Sequence, residues 1–599
     1  METIFILTII TVLSPLVGAF LSLVLKYLGS MARDIAGVIS IAISVAMAII
    51  IFNLFSGVAT SYDFNWLSWT RGYNVTIQSG FYLDSLSVLM TLIVSVLSML
   101  IAFFSLEYMG EDKHRTRYWF FLQLFVSGML LLVLAHDMIF LFLGWEIVGL
   151  CSCFLIAHKF TKEGEEGRKA ALSGIKALIM TGIGDVGLLV FLSWAYLKEG
   201  TLIIENFQFT DPTVLMSVLL ILAPLTKSAQ FPLQSWLSSG DTVDIDAMHG
   251  PTTVSALIHA ATMVKAGVYL VARFSPYWNE EVFYTILMVI AGLSAFLAAL
   301  GALVTTDIKR VLAYSTISQL SYMFMALSMQ ESGLAAGELH LLSHAIFKAL
   351  LFLAAGAIIH SLADERDMRK MGGLYKELPW IYGFTWVGAL ALMGLPILTN
   401  GGYSKEMIIT VAYENQNWYI FIMAVLTAFL TALYVTRMLF MVFHGKNRGA
   451  HVHKPKWIMR STLGVLALLV VLTGFFIEDT LSDFLEHGTK EVHYALHVNA
   501  VVFPIALGAI ILGVLVAYLL YGKGQTEVAF IANNKILRAL REFVANGYYI
   551  DHFYNAVFVK PVFWIGDKLS YLHTGKINWN MVASGIVAIG VGIALVVIL

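Results

Sequence analysis

The 599-residue sequence is 59% hydrophobic and 13% charged, and its 37 Lys and Arg residues nearly balance 39 Asp and Glu residues, giving a net charge of −2 at pH 7. Soluble domains carry about 25% charged residues, so this composition excludes an ordinary soluble fold. The small net charge gives no indication of a nucleic-acid partner.

Apolar runs of the length that crosses a bilayer, about 20 residues each, follow one another along almost the whole chain. The sequence therefore predicts an all-α integral membrane protein with about sixteen transmembrane spans. The predicted spans are residues 3–25, 34–56, 82–104, 118–134, 137–157, 170–196, 213–237, 250–272, 282–304, 308–328, 334–361, 381–414, 417–443, 461–478, 499–521 and 578–599.

The positions of the basic residues test this topology independently. Outside the spans, nearly all Lys and Arg residues fall in the odd-numbered connections, and the even-numbered ones hold only Arg71, Lys198, Arg273 and Lys490. The positive-inside rule then places the odd connections in the cytoplasm. Both termini are predicted to lie on the outer face of a prokaryotic cell (inner) membrane.

Two spans contain prolines or glycines around a lysine. The seventh span includes Pro224, Lys227 and Pro232, and the twelfth includes Pro396 and Lys405. Proline removes a backbone donor and clashes with the preceding turn, so each span is predicted to be a broken helix. Matching interruptions in two halves of a transporter indicate inverted repeats around an ion site, and we predict two five-helix repeats, spans 4–8 and 9–13. Two independent proline kinks are the alternative.

These features divide the chain into six predicted parts. They are spans 1–3 (residues 1–110), the first repeat (111–275), the second, inverted repeat (276–445), spans 14–15 (446–522), a lateral amphipathic segment (523–577) and a final anchor span (578–599).

Several ionisable residues lie well inside predicted spans. Glu146, Asp185, Lys227, Lys348 and Lys405 are the clearest cases. A charge at the bilayer centre costs about 2.5–3.5 kcal/mol even on the milder insertion scale, so such residues predict a function. A buried lysine beside a carboxylate forms a proton switch, because the state of one partner controls the charge of the other.

The eleventh span shows a regular spacing of titratable residues. His340, His344 and Lys348 repeat at i, i+4 and i+8, on one stripe of a helix. A histidine pair of this spacing can bind a metal, but the lysine on the same face favours a proton relay, for which imidazole is suited near neutral pH. His259 in the eighth span is predicted to extend the relay.

Six stretches of this sequence carry a family resemblance: Gly144-Trp145-Glu146, Lys227-Ser228-Ala229-Gln230, Val254 to Val264, Asp307 to Thr316, His344 to Leu353, and Ser404-Lys405-Glu406. Through them the chain resembles the antiporter-like membrane subunits of respiratory complex I, most closely the L (chain 5) type. The Mrp-type sodium/proton antiporters share the same core.

The resemblance implies roles for individual residues. It pairs Glu146 with Lys227, makes Lys348 the central lysine beside His259, His340 and His344, and assigns the exit side to Lys405 and Glu406; Asp185 matches an acid of the family. The sequence departs from the family at Gly182, where an arginine is usual, and in an acidic insertion at 238–245.

The function implied by the resemblance is proton translocation in a redox-driven, complex I-type NADH:quinone oxidoreductase. The two cysteines, Cys151 and Cys153, are too few for an iron–sulfur cluster, and the flavin and iron–sulfur clusters are expected in partner subunits. Expected partners are other membrane subunits, including a neighbouring antiporter-like one, and a peripheral redox arm. The alternatives are the large subunit of a Mrp-type antiporter, a subunit of a related hydrogenase or deazaflavin-linked dehydrogenase, or a structural clamp.

Overall fold

The computed structural model describes residues 2–69, 75–209, 213–278, 280–396, 398–448, 452–476, 484, 499–522, 525 and 533–570. This part of the chain is mostly helical and contains 12 helices that are long and apolar enough to cross a membrane. The predicted class of helical, multi-span membrane protein is confirmed. The predicted final span, 578–599, lies outside the described residues.

Most helices match one predicted span each. The helices are α1 Glu2–Leu25, α2 Ser30–Leu54, α3 Ser85–Tyr108, α4 Arg115–Leu134, α5 Met138–Ile156, α6 Glu165–Glu199, α7 Val214–Lys227, α8 Thr252–Ala256, α9 Met263–Phe274, α10 Glu281–Val304, α11 Ile308–Leu327, α12 Glu331–Ser361, α13 Pro379–Met393, α14 Asn400–Glu414, α15 Trp418–Phe443, α16 Trp457–Phe476, α17 Val502–Tyr521, α18 Lys535–Ala545, α19 Ile550–Tyr554 and α20 Lys560–Ser570. The count of sixteen spans stays a prediction.

The seventh and twelfth predicted spans are both interrupted. The helix of the seventh ends at Lys227 and is followed by a short 3₁₀ turn, Leu233–Trp236. The twelfth divides into α13 and α14, because Gly394 adopts a φ of 87° after Met393 and ends the first half. The eighth span is also irregular: a π-turn, Leu257–Ala261, separates α8 from α9.

A β-hairpin corrects the prediction that the fold is entirely helical. Strand β1, Thr60–Trp69, pairs antiparallel with β2, Val75–Leu83. Polar and apolar residues alternate from Ser61 to Trp66, the period of a strand with two different faces. The hairpin lies in the second connection, and its base contacts the fourth connection through a bridge between Phe81 and Ala135.

Among the contacts of the described residues, the connections fall into two groups, and contacts occur only between connections of the same group. Residues in or beside odd-numbered connections form the ion pairs Arg115–Asp34, Lys159–Asp364 and Arg310–Asp241. Residues in or beside even-numbered connections form the pairs Arg273–Asp84 and His136–Glu205 and a hydrogen bond from Asn499 to Glu414. The two groups therefore lie at opposite ends of the helices, as an alternating topology requires.

The acidic insertion at 238–245 holds the basic start of α11. Arg310 forms ion pairs with Asp244 at 2.6 Å, with Asp246 at 2.9 Å and with Asp241 at 3.4 Å. Burial raises the pKa of Asp246, but the charges of Arg310 and His249 outweigh burial and lower it overall. These ion pairs thus tie the seventh connection to the start of α11.

Candidate functional site

The first broken helix ends in a buried ion pair. Lys227 is fully buried, and its Nζ lies 3.3 Å from Oδ1 of Asp185 on α6. The Trp145 indole on α5 donates a hydrogen bond to the same Oδ1 at 2.5 Å, and Lys227 Nζ lies 5.0 Å from the centroid of that ring. Three helices of the first predicted repeat therefore meet at this lysine.

The direct partner of Lys227 differs from the family-based prediction. Glu146 is half-buried and forms no ion pair with Lys227 in the described structure, although its charge acts on both Lys227 and Asp185. Neighbouring helix positions point about 100° apart, and it is Trp145 rather than Glu146 that faces the lysine. The direct contact of Lys227 in this structure is therefore Asp185, and the functional pairing of Glu146 with Lys227 stays a prediction.

Gly182 bears on the environment of this pair. A Cβ at this position would meet no atom within 4 Å, so this face of α6 is open. The arginine that is usual in the family would project from that face, three residues before Asp185. Without it, Asp185 has its hydrogen bond from Trp145 and its ion pair with Lys227.

The centre of the molecule contains a second buried lysine. Lys348 on α12 is fully buried, and its Nζ donates to Ser315 Oγ at 2.7 Å and to the Leu312 carbonyl at 3.4 Å, both on α11. These acceptors are neutral, so this ammonium group has less compensation than that of Lys227. Because its partners are neutral oxygens, Lys348 can release its proton without leaving an unpaired carboxylate charge beside it.

Two histidines precede Lys348 on the same helix stripe. His340 bonds to Ser404 Oγ through Nδ1 at 2.9 Å and to Gln319 Oε1 through Nε2 at 3.2 Å. Both ring nitrogens are therefore engaged, which argues against a metal ligand. The ring centroids of His340 and His344 are 6.4 Å apart, a separation that one bridging water can span.

His259 lies on the π-turn and faces α12. Its ring stacks on Phe352 with a centroid distance of 4.5 Å. Both ring nitrogens of His259 and of His344 are buried without a protein partner in the described structure. Buried polar groups are normally satisfied by protein or water, so these imidazoles are placed to bind internal water. A π-turn is frequent at functional sites.

The second broken helix brings a third buried lysine to the site. Lys405 on α14 reaches back to the end of α13, where its Nζ donates to the carbonyl of Leu392 at 2.9 Å. A cation at the carboxyl end of a helix is stabilised by the helix dipole. Glu406, the next residue, is also buried, with 7% exposure.

The structure thus brings together His259, His340, His344, Lys348 and Lys405, which we call the central file. Lys265 was not among the predicted site residues, yet it is fully buried and donates to the Leu341 carbonyl at 3.0 Å. Its position six residues after His259 was the available signal. Trp145 was missed because an aromatic residue beside an acid has no distinctive pattern.

Two family models match the chain. The model for the transmembrane region of NADH:quinone oxidoreductase and Mrp antiporters matches residues 135–431. The model for the N-terminus of chain 5 of NADH-ubiquinone oxidoreductase (complex I) matches residues 66–119. Together they include the predicted site.

Solved structures show the same fold. A chain of the Mrp complex from Dietzia sp. DQ12-45-1b superposes on all of this chain with a TM-score of 0.75 and 26% identity, and this chain spans 63% of that one. A chain of the membrane-bound sulfane sulfur reductase, an archaeal respiratory membrane complex, superposes on 80% of this chain with a TM-score of 0.67 and 24% identity, which shows the fold alone.

Full-length relatives define the family more narrowly. The chain is 36% identical to NADH-quinone oxidoreductase subunit L of Escherichia coli (strain K12), over 92% of this chain and 89% of the relative. It is 35% identical to NADH-ubiquinone oxidoreductase chain 5 of Metridium senile, over 93% of this chain and 92% of the relative. The chain therefore belongs to the family of NADH-quinone oxidoreductase subunit L (chain 5) proteins.

Proposed function

We propose that the chain is a proton-translocating membrane subunit of a complex I-type NADH:quinone oxidoreductase. The observation that carries the proposal is the set of three fully or almost fully buried lysines, Lys227, Lys348 and Lys405, with histidines between them. A protein that served only as a scaffold would gain nothing from the cost of these groups in a membrane.

The Asp185–Lys227 pair supplies the input step. When Asp185 takes up a proton, Lys227 loses its compensating charge and releases a proton towards the central file. Glu146 acts on the same pair from the half-buried face of α5, where its own protonation changes the field at Lys227. The file then passes the proton by way of His259, His344 and Lys348 to Lys405 and Glu406.

The architecture of this proposal is two inverted repeats, residues 111–275 and 276–445, in a prokaryotic inner membrane. The broken helices α7 and α13–α14 each present a lysine near the end of a half-helix, which supports corresponding roles. The grouping of the connections supports a topology with both termini outside, since the odd connections hold most of the basic residues.

Partner subunits complete the enzyme in this proposal. The flavin and iron–sulfur clusters belong to a peripheral redox arm, and a neighbouring antiporter-like subunit is a partner in the membrane. Residues 533–570 form the described part of the lateral segment, which holds the chain within the assembly.

A second candidate function is that of the large subunit of a Mrp-type antiporter, favoured by the fold match to the Dietzia Mrp complex. Purification from native membranes in mild detergent, with mass spectrometry of the co-migrating chains, separates the two. Flavin-bearing and iron–sulfur subunits in the complex would support the redox-driven pump. Small hydrophobic companions alone would overturn it in favour of the antiporter.

A further inference from the structure

An ion pair at the outer end of α9 is joined to an aromatic ring and a phenol. Arg273 binds Asp84 through two hydrogen bonds, at 2.5 and 3.0 Å, and donates to the Tyr269 hydroxyl at 2.8 Å. Its guanidinium lies 5.2 Å from the centroid of the Tyr82 ring. Arg273 is only 7% exposed, so this charge is held inside the protein.

The network continues from Tyr82 to the surface. The Tyr82 ring stacks on His136 with a centroid distance of 5.5 Å. His136 Nδ1 lies 2.5 Å from Asp63 and its Nε2 lies 2.9 Å from Glu205. The side chains of Asp63 and Glu205 are 36% and 32% exposed. We call Asp63, Tyr82, Asp84, His136, Glu205 and Arg273 the outer network.

Glu338 lies between this network and the central file. It is on α12, is 6% exposed, and has no described ion pair or hydrogen bond. Lys265 Nζ on α9 donates to the Leu341 carbonyl on α12. At 1.5 Å per residue, Glu338 lies about 4.5 Å from Leu341 along α12, and Arg273 lies about 12 Å from Lys265 along α9, both towards the outer end. The charges of Asp84 and Arg273 both act on Glu338.

We propose that Glu338 is a proton-carrying site that connects Lys265 to the outer network, and that protons exchange with the outer face by this route. In the transfer an N–H bond of Lys265 breaks and an O–H bond forms on Glu338, so that both residues become neutral. The proton then leaves Glu338 towards the carboxylates of the outer network and the exposed surface. The inference rests on the proposed function, because Glu338 receives a proton only if the central file carries protons.

The two charges of the ion pair act on Glu338 in opposite directions. The negative charge of Asp84 favours the protonated carboxyl, and the guanidinium of Arg273, which stays protonated in proteins, favours the return of Glu338 to the carboxylate. The positive charge of Arg273 also argues against a metal cation at Glu338. A buried acid of purely structural use would be protonated permanently and would never change state.

The test compares Glu338→Gln with Glu331→Gln in the assembled complex. Glu331 is the first residue of the same helix and is exposed, so it controls for the loss of a carboxylate at this end of α12. Two properties are measured: the number of protons moved per electron in reconstituted vesicles, and the carboxyl C=O bands that titrate in infrared difference spectra. Lys405→Met is measured alongside as a probe of the central file.

We expect E338Q to lower the proton-to-electron ratio and to lose the high-frequency C=O band of a buried carboxyl, while E331Q keeps both. A wild-type ratio and band pattern in E338Q, with K405M defective, would overturn this inference alone. Wild-type ratios in both E338Q and K405M would instead contradict the proposed function. If E338Q does not assemble, E338D replaces it: a displaced titrating band supports the site, and an unchanged pattern rejects it.

Discussion

At the scale of single residues, Trp145 determines how Lys227 and Asp185 meet. Its indole N–H donates to the carboxylate, and its ring lies beneath the ammonium group. A cation over an aromatic face is attracted by about 0.5–2 kcal/mol, depending on how well it is desolvated. Trp145 is therefore a positioning residue of the switch, although it carries no proton itself.

Replacing Trp145 by phenylalanine should weaken the switch. The change keeps a ring but removes a hydrogen bond to a charged group, which is worth about 1.5–3 kcal/mol. We expect an intact complex whose pumping has an altered pH profile, measured in vesicles by the quenching of a pH-sensitive dye. Trp386→Phe is the matched control, because the indole N–H of Trp386 is buried without a partner in the described structure. Equal pH profiles for the two variants would contradict the role of Trp145.

Asp185→Asn should be more damaging than Glu146→Gln. Removing one partner of a buried ion pair leaves an uncompensated charge, at a cost of about 3–5 kcal/mol, and Asp185 is the direct partner of Lys227. E146Q should weaken proton transfer and leave assembly intact, whereas D185N should also lower the thermal stability of the complex. For both variants, the assembly and stability of the complex are measured on native gels, and proton transfer is measured by the proton-to-electron ratio. An unchanged ratio in E146Q would mean that Glu146 does not act on the switch.

Residue spacing predicted part of the site, and packing determined the rest. The i, i+4, i+8 stripe of His340, His344 and Lys348 required only the helical period, so the sequence was sufficient. The partner of Lys227 depended on which face of α5 turned inward, and a family likeness assigned it to Glu146. Glu338 had no periodic companion, because its neighbours in the outer network come from three separate connections and α9.

At the scale of elements, the β-hairpin is attached to the fourth and sixth connections through His136. Burial lowers the pKa of His136, but the hydrogen bonds to Glu205 and Asp63 outweigh burial and raise it overall. The hairpin contributes Asp63, and the sixth connection contributes Glu205. An imidazole between two carboxylates thus joins the hairpin to the sixth connection.

This attachment should weaken as pH rises. Because the pKa of His136 in the folded protein is raised, its stabilisation is complete below the unfolded value of about 6.5 and is lost as pH rises through the folded value. Protease cleavage of the hairpin should therefore speed up at alkaline pH in the wild type. In His136→Gln the cleavage rate of the hairpin should be high and independent of pH. The activity of the protease itself is normalised at each pH on an unfolded substrate. A parallel pH dependence in H136Q would assign the effect to other groups.

The lateral segment is attached to α6, to α10 and to the turn after α7 by a few polar contacts. Asp551 forms an ion pair with Lys176 at 2.6 Å, and the hydroxyls of Tyr548 and Tyr554 donate to the Leu297 and Pro232 carbonyls. Pro232 follows the break at Lys227. The lateral segment therefore contacts the chain beside the first broken helix. A shift of the segment would displace the broken helix, and a shift of the broken helix would displace the segment.

The Lys176–Asp551 pair should couple this segment to α6. Its side chains are only 17% and 9% exposed, so solvent screens it weakly. Lys176→Met and Asp551→Asn should each increase the proteolysis of residues 533–570, and the double variant should add little to either change. Additive effects in the double-mutant cycle would show that the two side chains do not interact in the assembled complex.

At the scale of the whole molecule, ion chemistry and assembly are assigned to different parts of the chain. The central file lies on α12, α14 and the π-turn between α8 and α9, and α11 supplies hydrogen-bond partners, all within residues 252–414. The lateral segment begins more than a hundred residues later and adds none of the buried lysines. Its contacts with Lys176, Leu297 and Pro232 can be lost without changing a hydrogen bond inside the file.

Truncation after about residue 540 should therefore impair assembly more than proton chemistry. It removes Tyr548, Asp551 and Tyr554, and with them the contacts to Leu297, Lys176 and Pro232. We expect less complete complex on native gels, while the complexes that do assemble keep a near-normal proton-to-electron ratio. Substituting Asp551 alone is the milder control, since it leaves both tyrosine contacts in place. Full recovery of a stable complex from the truncated chain would remove the role in assembly, and a normal yield with lost pumping would place part of the proton path in the lateral segment.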